Sequence, residues 1–153
     1  MSGAVGQGSD HFDLSDWSDG GRAELTATAA DPDAALTAAL TGILAAASGA
    51  TLGVHQPEEA TSAAAIRGQG RDFSALLTEL TADLLAQVDA NGTGLTQIRL
   101  DGVLETDDGY TAWGYALGTP GGNGPAVNVE LVGEPAVEQA SGTTVVRCTL
   151  RRF

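Results

Sequence analysis

Between Phe73 and Val88 the apolar residues fall at helical spacing, and this run constrains the fold more than any other stretch. Phe73, Leu76, Leu77, Leu80, Leu84 and Val88 make one stripe, and Thr78, Glu79, Ala82, Ala86 and Asp89 make the far side. A helix so one-sided has to cover something. Asp72 stands where an N-cap carboxylate accepts the free amides of the first turn, and Asn91-Gly92 is a stop signal. Upstream, Thr61–Arg67 reads as an alanine-rich strand, with Gly68 and Gly70 bracketing a turn into the helix. The Gly-Gln-Gly run has neither the further glycine of a dinucleotide fingerprint nor the lysine of a P-loop, so it reads as turn chemistry.

A second helix opens at Asp31-Pro32, with aspartate as N-cap and proline in the first turn, and ends near Ser48-Gly49. Its apolar stripe is Leu36, Ala39, Leu40, Ile43, Leu44 and Ala47. Its opposite face, Ala34, Ala38, Thr41 and Ala45, carries no charge. That leaves two arrangements, a helix sandwiched within the domain or one covered by another subunit. Ala34 to Gln56 holds no charged residue, yet it is too rich in Ala, Gly, Thr and Ser for a membrane span.

The remaining segments alternate with period two. Arg22–Ala29 puts Ala23, Leu25, Ala27 and Ala29 on one face. Gln97–Glu105 puts Ile98, Leu100 and Leu104 together, with Gly102 as a bulge position. Asp107-Asp108-Gly109 is a tight turn, and Tyr110–Leu117 returns with Trp113, Tyr115 and Leu117 on one face. Gly118–Pro125 is a glycine-rich loop. Ala126–Val132, a short Pro135–Gln139 piece and Thr143–Arg152 complete the strands, the last with Val146, Cys148 and Leu150 facing one way and Arg152 ending that face. The order strand, helix, strand, helix, strands predicts an α+β two-layer sandwich, two helices packed on one face of a mainly antiparallel sheet. Residues 1–10 read as a Gly/Ser-rich tail and 11–153 as a single domain.

Aromatic residues make up 5% of the chain, so the core must be built from small side chains at close backbone approach. The net charge is −13, and all seven cations are arginine. Such acidity argues against direct nucleic-acid binding, which needs cations to neutralise phosphates. It fits a basic protein partner, a divalent metal or a salty cytoplasm, and equally a plain solubility trait. Cys148 has no partner for an internal disulfide and reads as a small buried hydrophobe. The N-terminal residues show no apolar run of a signal peptide, which points to a cytoplasmic protein.

Asp10, Asp13, Asp16 and Asp19 are spaced by three ahead of the first long strand. Carboxylates at this density suit calcium or magnesium, although the glycine and final glutamate of an EF-hand loop are missing. A solvated acidic loop is the other reading. Trp17 is placed over the core edge, His11 at the surface, and His55 in a connector without a visible catalytic partner.

Taken together, the plan resembles the archease family, small acidic proteins that assist the tRNA-splicing RNA ligase. Asp31–Leu40, DPDAALTAAL, stands where that family has its first helix, and Ile66–Leu85 matches its "L-x-x-L-L-x-x-x-L" helix. The hairpin, glycine-rich loop and closing strands follow in the same order, so the resemblance covers roughly residues 12–153, by pattern more than by identity. It implies a non-enzymatic accessory protein acting on an RNA ligase, with a metal site beside the first and last strands. The ligand aspartate of the family's His-Thr-Ala-Asp falls on Arg22 when aligned without gaps, and on Asp19 with a three-residue insertion that places Asp16-Trp17-Ser18-Asp19 there. The family's lysine strand corresponds to Asn128-Val129-Glu130-Leu131, without the lysine. Arg152 stands where the family's last metal-binding aspartate would be. A guanidinium a few ångströms from a cation costs on the order of 4 kcal/mol at an effective dielectric of 20. Asp16 and Asp19 therefore remain as candidate metal residues, with Arg152 as an internal cation bridging to one of them. The alternative is an interaction or oligomerisation module of the same fold, without a ligase role or metal, using the uncharged helix Pro32–Ser48 as a homo-oligomer interface. No nucleophile–base pair, metal-ligand spacing or cofactor motif supports an enzyme.

Overall fold

The structure is a computed structural model, and it describes residues 11–48, 62–91, 95–118, 129–140 and 142–152. The N-terminal tail, the connector with His55 and most of the Gly118–Pro125 loop lie outside the described residues.

Eight strands and two helices follow in the order β1 (His11–Leu14), β2 (Arg22–Ala29), α1 (Pro32–Ser48), β3 (Ser62–Gly70), α2 (Phe73–Asn91), β4 (Leu95–Thr106), β5 (Gly109–Gly118), β6 (Val129–Leu131), β7 (Ala136–Ala140) and β8 (Thr143–Arg152). Both helices start where the sequence predicts. The Asp31 carboxylate accepts from the Ala34 amide at 2.9 Å, and the Asp72 carboxylate accepts from the Ala75 amide at 2.8 Å.

The fold is α+β, and every described strand pairing is antiparallel. The strands form two sheets where one was expected. One runs β1-β2-β8-β6, with β7 also on β8, and the other runs β3-β5-β4. Burial of α1 supplies the physical reason. On its second face Ala38 and Ala45 are buried and Ala34 and Thr41 half-buried, so a single sheet would leave much of an alanine-rich helix in water. Instead α1 packs on β1, β2 and β8 and also on β4, while α2 packs on β3, β5 and α1. Most of the charge-free face is thus covered inside the protomer, with Ala34 and Thr41 left half-buried.

Gly68 and Gly70 belong to β3 and not to the turn. A Cβ at Gly68 would lie 3.0 Å from the Leu80 nitrogen, and one at Gly70 would lie 2.4 Å from the Leu76 nitrogen. The glycines let the helix backbone sit directly on the strand, which is how a core poor in aromatics reaches close packing. The bulge near Gly102 is present, between Leu100 and Gly102 in the pairing with β5. It also reverses the faces beyond it. Val103 opposes buried Ala112 and packs on the core, while Leu104 is 55% exposed. Leu104 is therefore not on the face of Ile98, because one extra residue shifts a period-two pattern by half a cycle.

Thr81 on α2 is 2% exposed, and its hydroxyl has no hydrogen-bond partner among the described residues. An orphaned buried hydroxyl costs more than the methyl that would replace it. Thr81→Val is expected to stabilise the fold by about 1 kcal/mol, raising the thermal midpoint by about 2–4 °C. Circular dichroism melting curves measure this directly.

Candidate functional site

Antiparallel pairing of β2 with β8 places the first long strand beside the last, with Arg22 opposite Arg151. The β1–β2 loop and the end of β8 therefore meet at one end of the five-stranded sheet. The loop is held by its own backbone. Ser15 donates its amide to the Glu24 carbonyl at 2.9 Å, Ser18 to the Arg22 carbonyl at 2.7 Å, and Gly21 back to the Ser18 carbonyl at 2.9 Å. The Arg152 amide donates to the Gly21 carbonyl at 2.8 Å, stitching the last strand to the loop. Gly21 has φ +78°, a left-handed conformation that favours glycine, and a Cβ there would lie 3.0 Å from the Arg152 carbonyl oxygen.

The structure thus brings Asp16, Asp19 and Arg152 to the same place. It does not join them as expected. The Arg152 guanidinium lies over the Trp17 ring, 5.0 Å from its centroid, a cation–π contact. The ion pairs among the described residues lie elsewhere, at Arg99–Asp101, Arg147–Glu138 and Arg151–Glu130. Trp17 is half-buried against the core edge, as its position in the sequence suggested. Asp16 and Asp19 are exposed.

A calcium ion takes roughly six to eight oxygens. Two exposed carboxylates beside a guanidinium supply too few, and no group of three His, Cys, Asp or Glu able to hold a metal occurs among the described residues.

Cys148 is buried beneath this end of the sheet. Burial first, and then the nearby Glu24 charge, push its thiol up to about 12. The thiolate is the reactive form, so the native protein is expected to resist thiol reagents at pH 8 and to react once unfolded. An absorbance assay with a disulfide reagent, with and without denaturant, checks this. The stability contribution has a definite sign. The unfolded thiol ionises near 9.0 and the folded one near 12, so the contribution is complete below the first value and is lost as pH rises toward the second.

A second concavity escaped the sequence. A cavity of about 480 Å³ opens between the start of α1 and β4, lined by Asp31, Asp33, Ala34, Thr37, Leu100, Asp101, Gly102 and Val103. Burial and the Asp31 charge raise the Asp33 carboxyl above its ordinary value. Asp101 is the extra residue of the β4 bulge, and its carboxylate accepts from the Arg99 Nε at 3.0 Å. The Asp31 cap was legible, but packing of a helix start against a strand seventy residues downstream was not.

No family model matches the sequence, and no curated protein matches it. Among solved structures, the chain is similar to the solution structure of Methanobacterium thermoautotrophicum protein 1598, a structural-genomics target. The TM-score is 0.68 at 19% identity, covering 92% of this chain and 97% of that one. This likeness establishes the fold over nearly the whole chain. No helix among the described residues is long and apolar enough to cross a membrane.

Proposed function

We propose that this chain is an accessory protein and not itself an enzyme, acting in the cytoplasm by binding an RNA ligase of the tRNA-splicing or RNA-repair kind. The observation that carries the reading is the order of elements. The strand, helix, strand, helix and strands that the archease resemblance implies are the elements of this fold, with both helix caps at Asp31 and Asp72. The meeting of the β1–β2 loop with the end of β8 further supports it, since the resemblance implies a site there. A net charge of −13 favours a basic surface on a protein partner over direct contact with RNA.

In this reading the family's metal place is rewired, with Arg152 held over Trp17. Calorimetric titration of the wild type with calcium or magnesium is expected to give no saturable heat, while Arg152→Asp adds a third carboxylate and gains measurable binding. Tight binding by the wild type would remove the rewired site. The accessory role is tested by measuring RNA ligation with a tRNA-splicing ligase from the same source, with and without this protein. Several-fold higher multiple-turnover ligation is the expected result. An unchanged rate, with no co-purification of the two proteins, leaves the alternative of an interaction module without a ligase role.

A further inference from the structure

The two sheets differ sharply on their outer faces. Across the five-stranded sheet run two ion pairs, Arg147–Glu138 at 3.1 Å and Arg151–Glu130. That is an ordinary solvated surface. The three-stranded sheet carries Trp113 and Leu104, the exposed large apolar side chains among the described residues, at 42% and 55% exposure. Its charges are Arg67, Arg99 and the bulged Asp101. On a chain of net charge −13 this face is formally +1, counting +2 − 1 over those three residues. Trp113 and Tyr115 stand two apart on the central strand, and Arg99 lies over the Tyr115 ring at 5.3 Å. Buried aromatic and arginine side chains are what interface centres are made of.

We propose that this face binds a second copy of the chain, sheet on sheet, about a two-fold axis running along β5. The register makes the face self-complementary about that axis. Arg67 on β3 and Gly102 on β4 flank Trp113 from opposite sides in the same row. Rotation about β5 exchanges the flanking strands. The two Trp113 residues then stand in one row on either side of the axis, and Arg67 of each copy falls over the Trp113 ring and the Asp101 carboxylate of the other, making two equivalent pairs, as an isologous contact requires. The absence of a side chain at Gly102 lets the Trp113 ring of the same copy lie flat across the bulge, where it is met from above. A polyanion is the poorer occupant, because two arginines, one already paired with Asp101, neutralise too few phosphates.

Three strands about 4.8 Å apart and about nine residues long cover on the order of 400 Å² per copy. Two copies together bury about 800 Å², below the roughly 1,200 Å² at which stable specific interfaces begin, so the dimer is weak and concentration-dependent. Two bodies of charge −13 also repel each other. Salt screens that repulsion, and association is expected to strengthen as salt rises, the opposite of nucleic-acid binding.

Sedimentation velocity from about 10 µM to about 1 mM, a span matched to weak affinities, tests the proposal at low salt and at about 0.5 M salt. The wild type is expected to pass from monomer to dimer, more readily in salt. Arg67→Glu alone and Asp101→Arg alone are each expected to weaken association by at least about tenfold, since each turns both pairs repulsive. Mixing the two variants restores a heterodimer, because every pair is then opposite in sign. Trp113→Asp, at an exposed position, keeps the melting curve and abolishes the dimer. A monomer throughout the range in 0.5 M salt, a dimer indifferent to these changes, or a mixture that stays monomeric overturns the proposal. Quenching of Trp113 by single-stranded RNA that fades with salt, without any dimer, assigns the face to a polyanion and likewise overturns it.

Discussion

Leu40→Glu is expected to leave the chain largely unfolded at neutral pH. Leu40 is 0% exposed on α1, among Leu36, Ile43 and Leu44, which are equally buried. A carboxylate there would stand in the apolar core, and an uncompensated buried charge costs about 3–5 kcal/mol or more, to which the lost leucine packing adds about 2–5 kcal/mol. A domain of this size has only about 5–15 kcal/mol in total. Far-ultraviolet circular dichroism and a urea titration report the loss. The two arrangements the sequence left open are separated by Ala45→Glu, on the charge-free face and 6% exposed. Had that face been covered by another subunit, the variant would be a folded monomer with an unchanged melting curve. The packing of α1 against both sheets predicts collapse of the fold instead.

The second large effect is expected at Gly70. A Cβ placed there would lie 2.4 Å from the Leu76 nitrogen and 2.6 Å from the Ala75 carbonyl carbon, both backbone atoms of the first turn of α2. No rotamer change relieves a clash with backbone, so Gly70→Ala has to lift the helix off β3. Overpacking usually costs about 1–3 kcal/mol. Here the displaced turn is also the one capped by Asp72, and losing that cap costs about 1 kcal/mol more. The expected sum is about 2–4 kcal/mol, a fall in thermal midpoint of roughly 10 °C at the usual scaling. Gly20→Ala is the control. The nearest atom to its added Cβ is 4.0 Å away, and a shift within about 0.5 kcal/mol is expected. Equal destabilisation of the two variants would show that the glycine–helix contact is not what fixes α2.

These positions also show where sequence reasoning reached and where it stopped. The caps at Asp31 and Asp72 were legible because capping is local, an aspartate bonding an amide three residues on. The stripe from Phe73 to Val88 was legible because burial follows helical period, and its leucines and Val88 are in the core. Gly68 and Gly70 were misread as turn residues, since the turn and close-approach uses of glycine look alike until the opposing backbone is known. Leu104 was assigned to the wrong face because a bulge inserts one residue without leaving an unambiguous mark on the alternation. At the β1–β2 loop the sequence identified the right segments, Asp16, Asp19 and Arg152, but not their contacts. A guanidinium's choice between a carboxylate and the face of Trp17 depends on side-chain placement at the 5 Å scale.

The amino-acid order by itself determined the identity and ends of the main elements, the antiparallel α+β class and the small-residue character of the core. All of these follow from periods of 2 and 3.6 and from capping chemistry within a few residues. Only the tertiary structure decided that the strands divide into two sheets, that α1 buries alanines on both of its faces, and that an aromatic, arginine-bearing sheet face remains open to solvent. Those outcomes depend on which surfaces meet across long separations in the chain, and a helix that buries alanine as fully as leucine cannot announce from its own pattern what will cover it.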